Sequence, residues 1–413
     1  MKKVHFVGAG GAGMAPLAAL FCCSKLSVSG SDNEENAKTN TLRELGAEIS
    51  VGHRAENLPD DADLLVYSSA VGVDNPERRK AEMLGIPQLR RGEALAEFSK
   101  NYRRVVAVSG AHGKSSITAL ISHILEVCGF APGYMIGADV PGKSSFSSGN
   151  GDIFVTEADE SDGTHTLLEP FIGVIPNYDP DHAWSVDGEA ALEKNFIRFA
   201  GNCSTVLAYD YSKVREFCSG HSNTCFLDVP SEEFSFAGFF GYEAVNAAIA
   251  VRCCELLGCS RENAIVAASG FSGISRRMTK RFERENLIVI EDYAHHPTEI
   301  RSSIALLRRK YPEYHLRVVF QPHRYARLEK FFAGFAAELS KADSLLVTPV
   351  FAAWSETGSV DADDLAKQAG GVAVNSDWQE NARLAVETPA DGRKLLIAVL
   401  GAGDINRIFA FFK

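Results

Sequence analysis

Nowhere do the 413 residues run to about 18 consecutive apolar positions, which excludes a helical membrane span. The opening stretch MKKVHFVGAGGAGM places two lysines before a short apolar run, and glycines break that run at once. The expectation is therefore no secretory leader and no membrane partner. Excess positive charge is missing too: the formal net charge is −11. An acidic surface repels phosphate backbones, so no nucleic-acid partner is expected. Anionic small ligands would need local basic groups or backbone N–H sites. No C-x-x-C pair occurs among the nine cysteines. Cys22, Cys23, Cys253 and Cys254 sit in apolar runs that read as helices, which fits buried free thiols and a cytoplasmic location. Cys203, Cys218, His221 and Cys225 lie close together, but their spacing matches no common zinc module, and an irregular surface segment is the stronger reading. Short internal repeats are absent, and the only biased tract is the Ser/Gly-rich stretch 142–151.

What is present is an alternation of short apolar strands and helical patterns. At roughly 150 residues per domain the length allows about three domains. Residues 3–8 read as a strand, followed by a glycine-rich turn and an apolar helix from Met14 to Cys23. Further strands are expected at 27–29, 48–51 and 64–68, with a helix near 36–45. A second strand–turn–helix series starts at Arg103, with strands at 153–156, 171–176 and 205–208 and a helix over 242–257. A third follows Gly273, with strands at 287–290, 316–320, 344–348, 372–374 and 394–400 and helices over 299–310 and 328–339. The expected fold is α/β in three domains: residues 1–100 Rossmann-like, 101–272 a central P-loop ATPase-type parallel-sheet domain, and 273–413 a Rossmann-like α/β domain.

The strongest motif is Gly110-Ala111-His112-Gly113-Lys114-Ser115-Ser116, a G-x-x-G-K-S loop between a buried strand and a helix. Its glycines let backbone N–H groups turn inward around phosphate oxygens. The helix N-terminus adds partial positive charge. Lys114 can reach the outer phosphates of ATP, and the Ser115 hydroxyl can bind Mg²⁺. Downstream, Glu157, Asp159, Glu160 and Asp162 crowd four carboxylates into six positions after a strand. Two like charges about 6 Å apart cost on the order of 3 kcal/mol at an effective dielectric of about 20. At a strand end beside a phosphate loop, a cation is the better account, with Glu157 nearest the strand. The segment Asn177-Tyr178-Asp179-Pro180-Asp181-His182 follows another buried strand and offers His182 to the same edge.

Gly8-Ala9-Gly10-Gly11-Ala12-Gly13 fits G-x-G-x-x-G, and Asp32 follows 19 residues past Gly13. Alone this suggests a dinucleotide, but the turn says only that a pyrophosphate can approach the backbone. Beside an ATP site, a UDP-type diphosphate fits as well. In the last third, Glu291-Asp292-Tyr293-Ala294-His295-His296-Pro297 and Gln321-Pro322-His323-Arg324-Tyr325-Ala326-Arg327 each follow a buried strand. If a helix starts at the second, Arg324 and Arg327 share a face and can fork onto a carboxylate. Arg276 and Arg277 lie just before this domain.

These stretches, with VSGSD, VYSSAV, DNPE, TEADESD and LGAGDI, run in order through all three domains and resemble the Mur ligases of peptidoglycan synthesis. The EDYAHHPTE and QPHRYAR pair is more similar to the alanine-adding branch than to its relatives. The resemblance implies an ATP-dependent ligase that joins L-alanine to the carboxylate of UDP-N-acetylmuramate through an acyl phosphate, acting as a monomer or homodimer. It implies a UDP-sugar site at Gly10, Gly11, Gly13, Asp32, His53, Ser68 and Ser69. It implies ATP at the loop and at Asn246, Mg²⁺ on Ser115 and Glu157, and a second ion near His182. Arg277 and Asp292 would be carried to ATP by the third domain, and the amino acid would meet Tyr293, His295, Arg324 and Arg327.

There are departures. The family usually has G-x-H-N-x-x-N before its third domain, where this chain reads Phe240-Gly241-Tyr242-Glu243-Ala244-Val245-Asn246, and only Asn246 matches. A glutamate cannot donate the hydrogen bonds of an asparagine amide unless it is protonated. Ala111 and Ser115 stand where threonines are usual. The chain is also short for the family, with the shortfall between Ala200 and Tyr242. Three alternatives follow: a ligase that recycles cell-wall peptides onto the same sugar nucleotide, a binding protein without turnover, and a dehydrogenase, which would leave the phosphate loop unexplained.

Overall fold

A computed structural model describes residues 2–181, 186–231, 233–353 and 357–412. The first sheet holds β1 (Lys3–Val7), β2 (Ser27–Asp32), β3 (Glu48–Val51), β4 (Leu64–Tyr67) and β5 (Gln88–Arg90) in the order β3-β2-β1-β4-β5. All its pairs are parallel. Successive strands step outward to β3 and then jump to the far side of β1. The glycine turn after β1 therefore opens where the strand order reverses, the usual ligand edge of such sheets.

The helix Met14–Cys23 follows that turn, and all but its end is buried. A helix apolar on every side needs cover on every side. It receives it from both the first and the second sheet. Phe6, Phe21, Phe98, Tyr102 and Phe154 form a chain of ring contacts with centroids 4.9–6.0 Å apart. One continuous core runs from Val4 and Val66 of the first sheet to Val105, Met135 and Phe154 of the second. This shared core is why the first two sheets belong to one compact unit.

The second sheet comprises β6 (Arg104–Val108), β7 (Gly133–Met135), β8 (Phe146–Ser147), β9 (Ile153–Glu157), β10 (Ile172–Ile175), β11 (Thr205–Tyr209) and β12 (Thr224–Leu227). Its order is β12-β11-β10-β6-β9-β7-β8, and only β8 runs antiparallel. The Ser/Gly-rich stretch 142–151 supplies β8. The central strand β6 is flanked by β9 and β10. The ends of these three strands thus meet at a second reversal of strand order.

A short hairpin, β13 (Ser235–Phe236) with β14 (Phe239–Phe240), precedes a helix over Tyr242–Leu256. The third sheet contains β15 (Thr279–Arg284), β16 (Leu287–Asp292), β17 (Tyr314–Phe320), β18 (Ser344–Val347), β19 (Val372–Ala373) and β20 (Lys394–Leu400), ordered β15-β16-β20-β17-β18-β19. Its inner strands are parallel and buried on both faces, one face over Ile300, Phe335 and Leu365 and the other over Ala385, Ile405 and Ile408. The edge strand β15 is antiparallel and polar, with no apolar alternation by which to expect it. The expected α/β class with three parallel-sheet domains holds.

Two compact units result. The first comprises residues 1–230, 236–239 and 245–272, and the second residues 231–235, 240–244 and 273–413.

The cysteines divide. Cys253 and Cys254 are buried as expected, but Cys23 is exposed because the helix Met14–Cys23 ends there. Cys203, Cys218, His221 and Cys225 do not form a group able to hold a metal. His221 bonds the Cys203 carbonyl through Nε2 (2.8 Å) and faces Thr224 Oγ1 through Nδ1 (3.2 Å). The Cys203 thiol donates to the Phe199 carbonyl, and Cys225 lies against Arg252.

Candidate active site

The phosphate loop is built as its sequence requires. Gly113 adopts φ +83°, a left-handed backbone that suits glycine. A Cβ there would also lie 2.7 Å from Asn246 Oδ1, so Asn246 packs directly on the loop. A Cβ on Gly110 would lie 2.9 Å from the Asn177 carbonyl. Asn177 clamps the loop through both backbone groups of one residue. The His112 N–H donates to Asn177 Oδ1 (2.9 Å), and Asn177 Nδ2 donates to the His112 carbonyl (3.0 Å). Asn177 was not singled out in the sequence, because its partner lies 65 residues earlier. Ala111 costs the loop little, since the clamp and the turn are made by backbone. His112 Nε2 stands 3.5 Å from Asp179.

Lys114 opens the helix Lys114–Val127, followed by Ser115 and Ser116 in its first turn. Its ammonium donates to the Gly110 carbonyl (2.8 Å) and to Glu160 Oε1 (2.9 Å). Burial works against the lysine's charge, but Glu160, Asp159 and Glu157 outweigh it and hold the ammonium above its ordinary range. Burial pushes the Glu160 carboxyl up to about 7, against the opposing pull of Lys114. Burial also raises Glu157, although Gly137 N–H donates to it at 2.5 Å and Lys114 and the Ser115 hydroxyl favour its charge. Of the four crowded carboxylates, Asp162 pairs with Arg91. The other three lean on Lys114, with Arg91 helping Asp159. A hydroxyl and a desolvated carboxylate at Ser115 and Glu157 are hard oxygen donors of the kind Mg²⁺ takes. His182 lies outside the described residues.

In the first sheet, the Gly10 N–H donates to Asp32 Oδ2 (2.7 Å), tying the turn to the end of β2. A Cβ on Gly10 would fall 2.7 Å from Asn36 Nδ2, and one on Gly13 would fall 3.0 Å from Arg91 Cδ. Gly11 N–H bonds the Gly8 carbonyl (3.2 Å). His53 follows β3 and meets the Ser31 hydroxyl at 2.9 Å. Ser68 and Ser69 follow β4, with the Ser68 N–H on the Val7 carbonyl. These residues gather at the carboxyl edge of one sheet.

In the second unit, Asp292 ends β16 and is almost fully buried. Its carboxylate accepts from the N–H groups of Met278 (3.0 Å) and Ala294 (2.8 Å) and from the Tyr242 hydroxyl (3.2 Å). Burial raises its pKa, and Arg277, 3.7 Å away, opposes that shift. Arg277 also donates to Glu299 (3.0 Å), and Glu299 accepts the His295 N–H (3.0 Å). Glu299 thus links two expected site residues, although its sequence position marked it only as a first-turn helix residue. Tyr293 packs under Arg276 and Arg277. His295 donates through Nδ1 to the Tyr293 carbonyl (2.9 Å), and burial pushes its imidazole down to about 4.

The shared face expected for Arg324 and Arg327 is not formed. The helix starts at Tyr325, and Arg324 precedes it as the N-cap with φ +70°. Such a backbone is strained for a side chain with a Cβ. Arg327 lies in the first turn and bonds His323 Nδ1 (3.2 Å). The departures from the expected G-x-H-N-x-x-N pattern are engaged as well: Tyr242 bonds Asp292, and Glu243 pairs with Lys310 at 2.9 Å.

A phosphate loop at a reversal of strand order, on a buried parallel sheet, defines a P-loop α/β protein. Residues 3–103 match the model described as "Mur ligase family, catalytic domain", and residues 276–403 match "Mur ligase, glutamate ligase domain". A UDP-N-acetylmuramate–L-alanine ligase of Aquifex aeolicus is 35% identical, over 98% of this chain and 96% of the relative. One from Carboxydothermus hydrogenoformans is 32% identical, over 99% and 95%. The crystal structure of a UDP-N-acetylmuramate–alanine ligase from Thermotoga maritima matches with a TM-score of 0.80 at 25% identity, over 100% of this chain and 98% of that one. The chain belongs to the Mur ligase family.

Proposed function

We propose that this chain is an ATP-dependent ligase that joins L-alanine to the carboxylate of UDP-N-acetylmuramate in peptidoglycan synthesis. The observation that carries the reading is the Lys114 ammonium, fixed across its loop by the Gly110 carbonyl and Glu160, in a chain that runs end to end with alanine ligases. In this reading residues 1–100 take the UDP-sugar, 101–272 take ATP, and 273–413 take the amino acid. The sugar carboxylate attacks the γ-phosphate of ATP, giving ADP and an acyl phosphate. The alanine amine then attacks the acyl carbon, loses a proton, and phosphate leaves.

The loop N–H groups and Lys114 stabilise the charge that gathers on the transferred phosphoryl group. Asn246, Arg277 and Asp292 serve the nucleotide. Gly10, Gly11, Gly13, Asp32, His53, Ser68 and Ser69 hold the sugar nucleotide. Tyr293, His295, Arg324 and Arg327 hold the amino acid. Ser115 and Glu157 would hold Mg²⁺, with His182 for a second ion, and bound Mg²⁺ would supply further neutralisation of phosphate charge. The work is cytoplasmic, where the free thiols stay reduced.

Phosphate release from ATP and Mg²⁺, with UDP-N-acetylmuramate and each amino acid in turn, tests the reading. Release is expected with L-alanine above all others. Glycine and serine are the close competitors, because one methyl group is worth only about 1–3 kcal/mol. Release with a peptide and with no single amino acid would replace the reading with peptide recycling.

A further inference from the structure

The DNPE motif has no place in the mechanism above, yet its glutamate is a fully buried carboxylate in the first unit. Asn75 caps the helix Pro76–Leu84, and Glu77 in its first turn points inward. Four donors reach Glu77. Its Oε2 takes Ser31 Oγ at 2.6 Å and His5 Nε2 at 3.4 Å, and its Oε1 takes Asn57 Nδ2 at 2.7 Å and the Arg54 N–H at 3.1 Å. Burial opposes the charge of Glu77, but the hydrogen bonds from His5, Ser31 and Asn57 win and hold the carboxyl below its usual range. An ionised carboxylate only accepts hydrogen bonds.

That fixes the protons of the neighbours. The single Ser31 hydroxyl proton must go to Glu77. Ser31 Oγ also lies 2.9 Å from His53 Nδ1, so it accepts there, and Nδ1 carries hydrogen. In the neutral ring Nε2 is then bare. His53 keeps 18% of its side chain exposed, whereas Glu77 has none. Ser31 itself lies under the glycine turn, where its carbonyl accepts the N–H groups of Gly8 and Ala9, both at 2.9 Å. The chain Glu77–Ser31–His53 therefore runs from the buried interior to the ligand edge of the first sheet.

We propose that Glu77 is a positioning residue: through Ser31 it holds His53 as the Nδ1–H tautomer, presenting Nε2 to accept a hydrogen bond from an N–H or O–H of the sugar nucleotide. The ligand part of this inference rests on the proposed function. The tautomer part does not.

Proton–nitrogen NMR of the ligand-free full chain, with labelled histidine at mildly alkaline pH, reads the tautomer directly. The His53 signals are assigned by their loss in His53→Gln. The wild type is expected to show a protonated Nδ1 and a bare Nε2. In Glu77→Gln the amide donates to Ser31, the hydroxyl proton turns toward His53, and the protonated nitrogen becomes Nε2. The same variant should raise KM for UDP-N-acetylmuramate by about tenfold, the loss of one hydrogen bond, and change kcat and KM for ATP by less than about twofold. A merely structural role would move all three together. Among the His53 variants, His53→Gln, whose amide can reach the Nε2 position, should bind the sugar nucleotide better than His53→Asn. Should Glu77→Gln not fold, Ser31→Ala reads the same relay. A wild-type Nε2–H tautomer, or an unchanged tautomer when Glu77 or Ser31 is replaced, overturns the proposal. The stated tautomer without affinity for UDP-N-acetylmuramate would uphold the relay and sink the functional reading instead.

Discussion

Replacing Lys114 with alanine is expected to lower kcat by at least about 10³-fold while UDP-N-acetylmuramate still binds. The loss has two physical sources. The ammonium lies on the phosphate loop, within hydrogen-bond distance of the Gly110 carbonyl. Removing a preorganised charge from a buried site costs far more than it would in water, because little solvent is there to replace it. The ammonium also favours the ionised forms of Glu157, Asp159 and Glu160 against burial or mutual repulsion. Without it these carboxylates would take up protons, and any cation they hold would be weakened. The sugar-nucleotide residues sit on a different sheet, so isothermal titration with UDP-N-acetylmuramate should give an affinity within about threefold of wild type. Wild-type turnover in Lys114→Ala would show that the loop does not carry the phosphate chemistry.

Glu160→Gln should change how stability depends on pH. The folded carboxyl is pushed up to about 7, from an ordinary value of 4.5. Between those values the folded chain binds more protons at this site than the unfolded chain does. Stability contributed by Glu160 is therefore full below about 4.5 and is lost as pH rises through about 7. Glutamine has no such titration. In the absence of nucleotide, the variant should gain on the wild type by on the order of 3 kcal/mol across that window, and the difference should level off above it. The amide cannot strand Lys114, because Asp159 and Glu157 remain as its partners. Urea midpoints of both proteins, measured from mildly acid to mildly alkaline pH, check this. Parallel curves would mean that Glu160 is not the desolvated member of the cluster.

The parts of the site that are local in sequence could be read from sequence. The loop at Lys114 is a strand, two glycines and a helix start in one short segment, and each has a conformational reason to be there. The same holds for Gly10 and Asp32 and for the helix near 36–45, whose cap at Asn36 is a side chain next to the backbone it serves. What was not legible is tertiary. Which of four adjacent carboxylates faces Lys114 depends on how the chain turns after β9, and spacing alone favoured Glu157 over Glu160. Asn177 reaches the loop from another strand. Glu77 lies in a helical first turn, and its burial depends on β2 packed beside it. Arg324 misled for a similar reason: the helix begins one residue later than a shared arginine face needs, and a positive φ sets the side chain apart. Tyr242 and Glu243 looked like losses against the family pattern, and each has its own partner in Asp292 and Lys310.

The most direct measurement follows an oxygen atom. UDP-N-acetylmuramate carrying heavy oxygen in its carboxylate is turned over with ATP, Mg²⁺ and L-alanine, and the phosphate and sugar products are weighed by mass spectrometry. An acyl phosphate requires one labelled oxygen to leave with phosphate and the other to stay in the new amide of the alanine adduct. Labelled phosphate together with that adduct is the predicted result. Unlabelled phosphate, or phosphate released without any alanine adduct, would contradict the account.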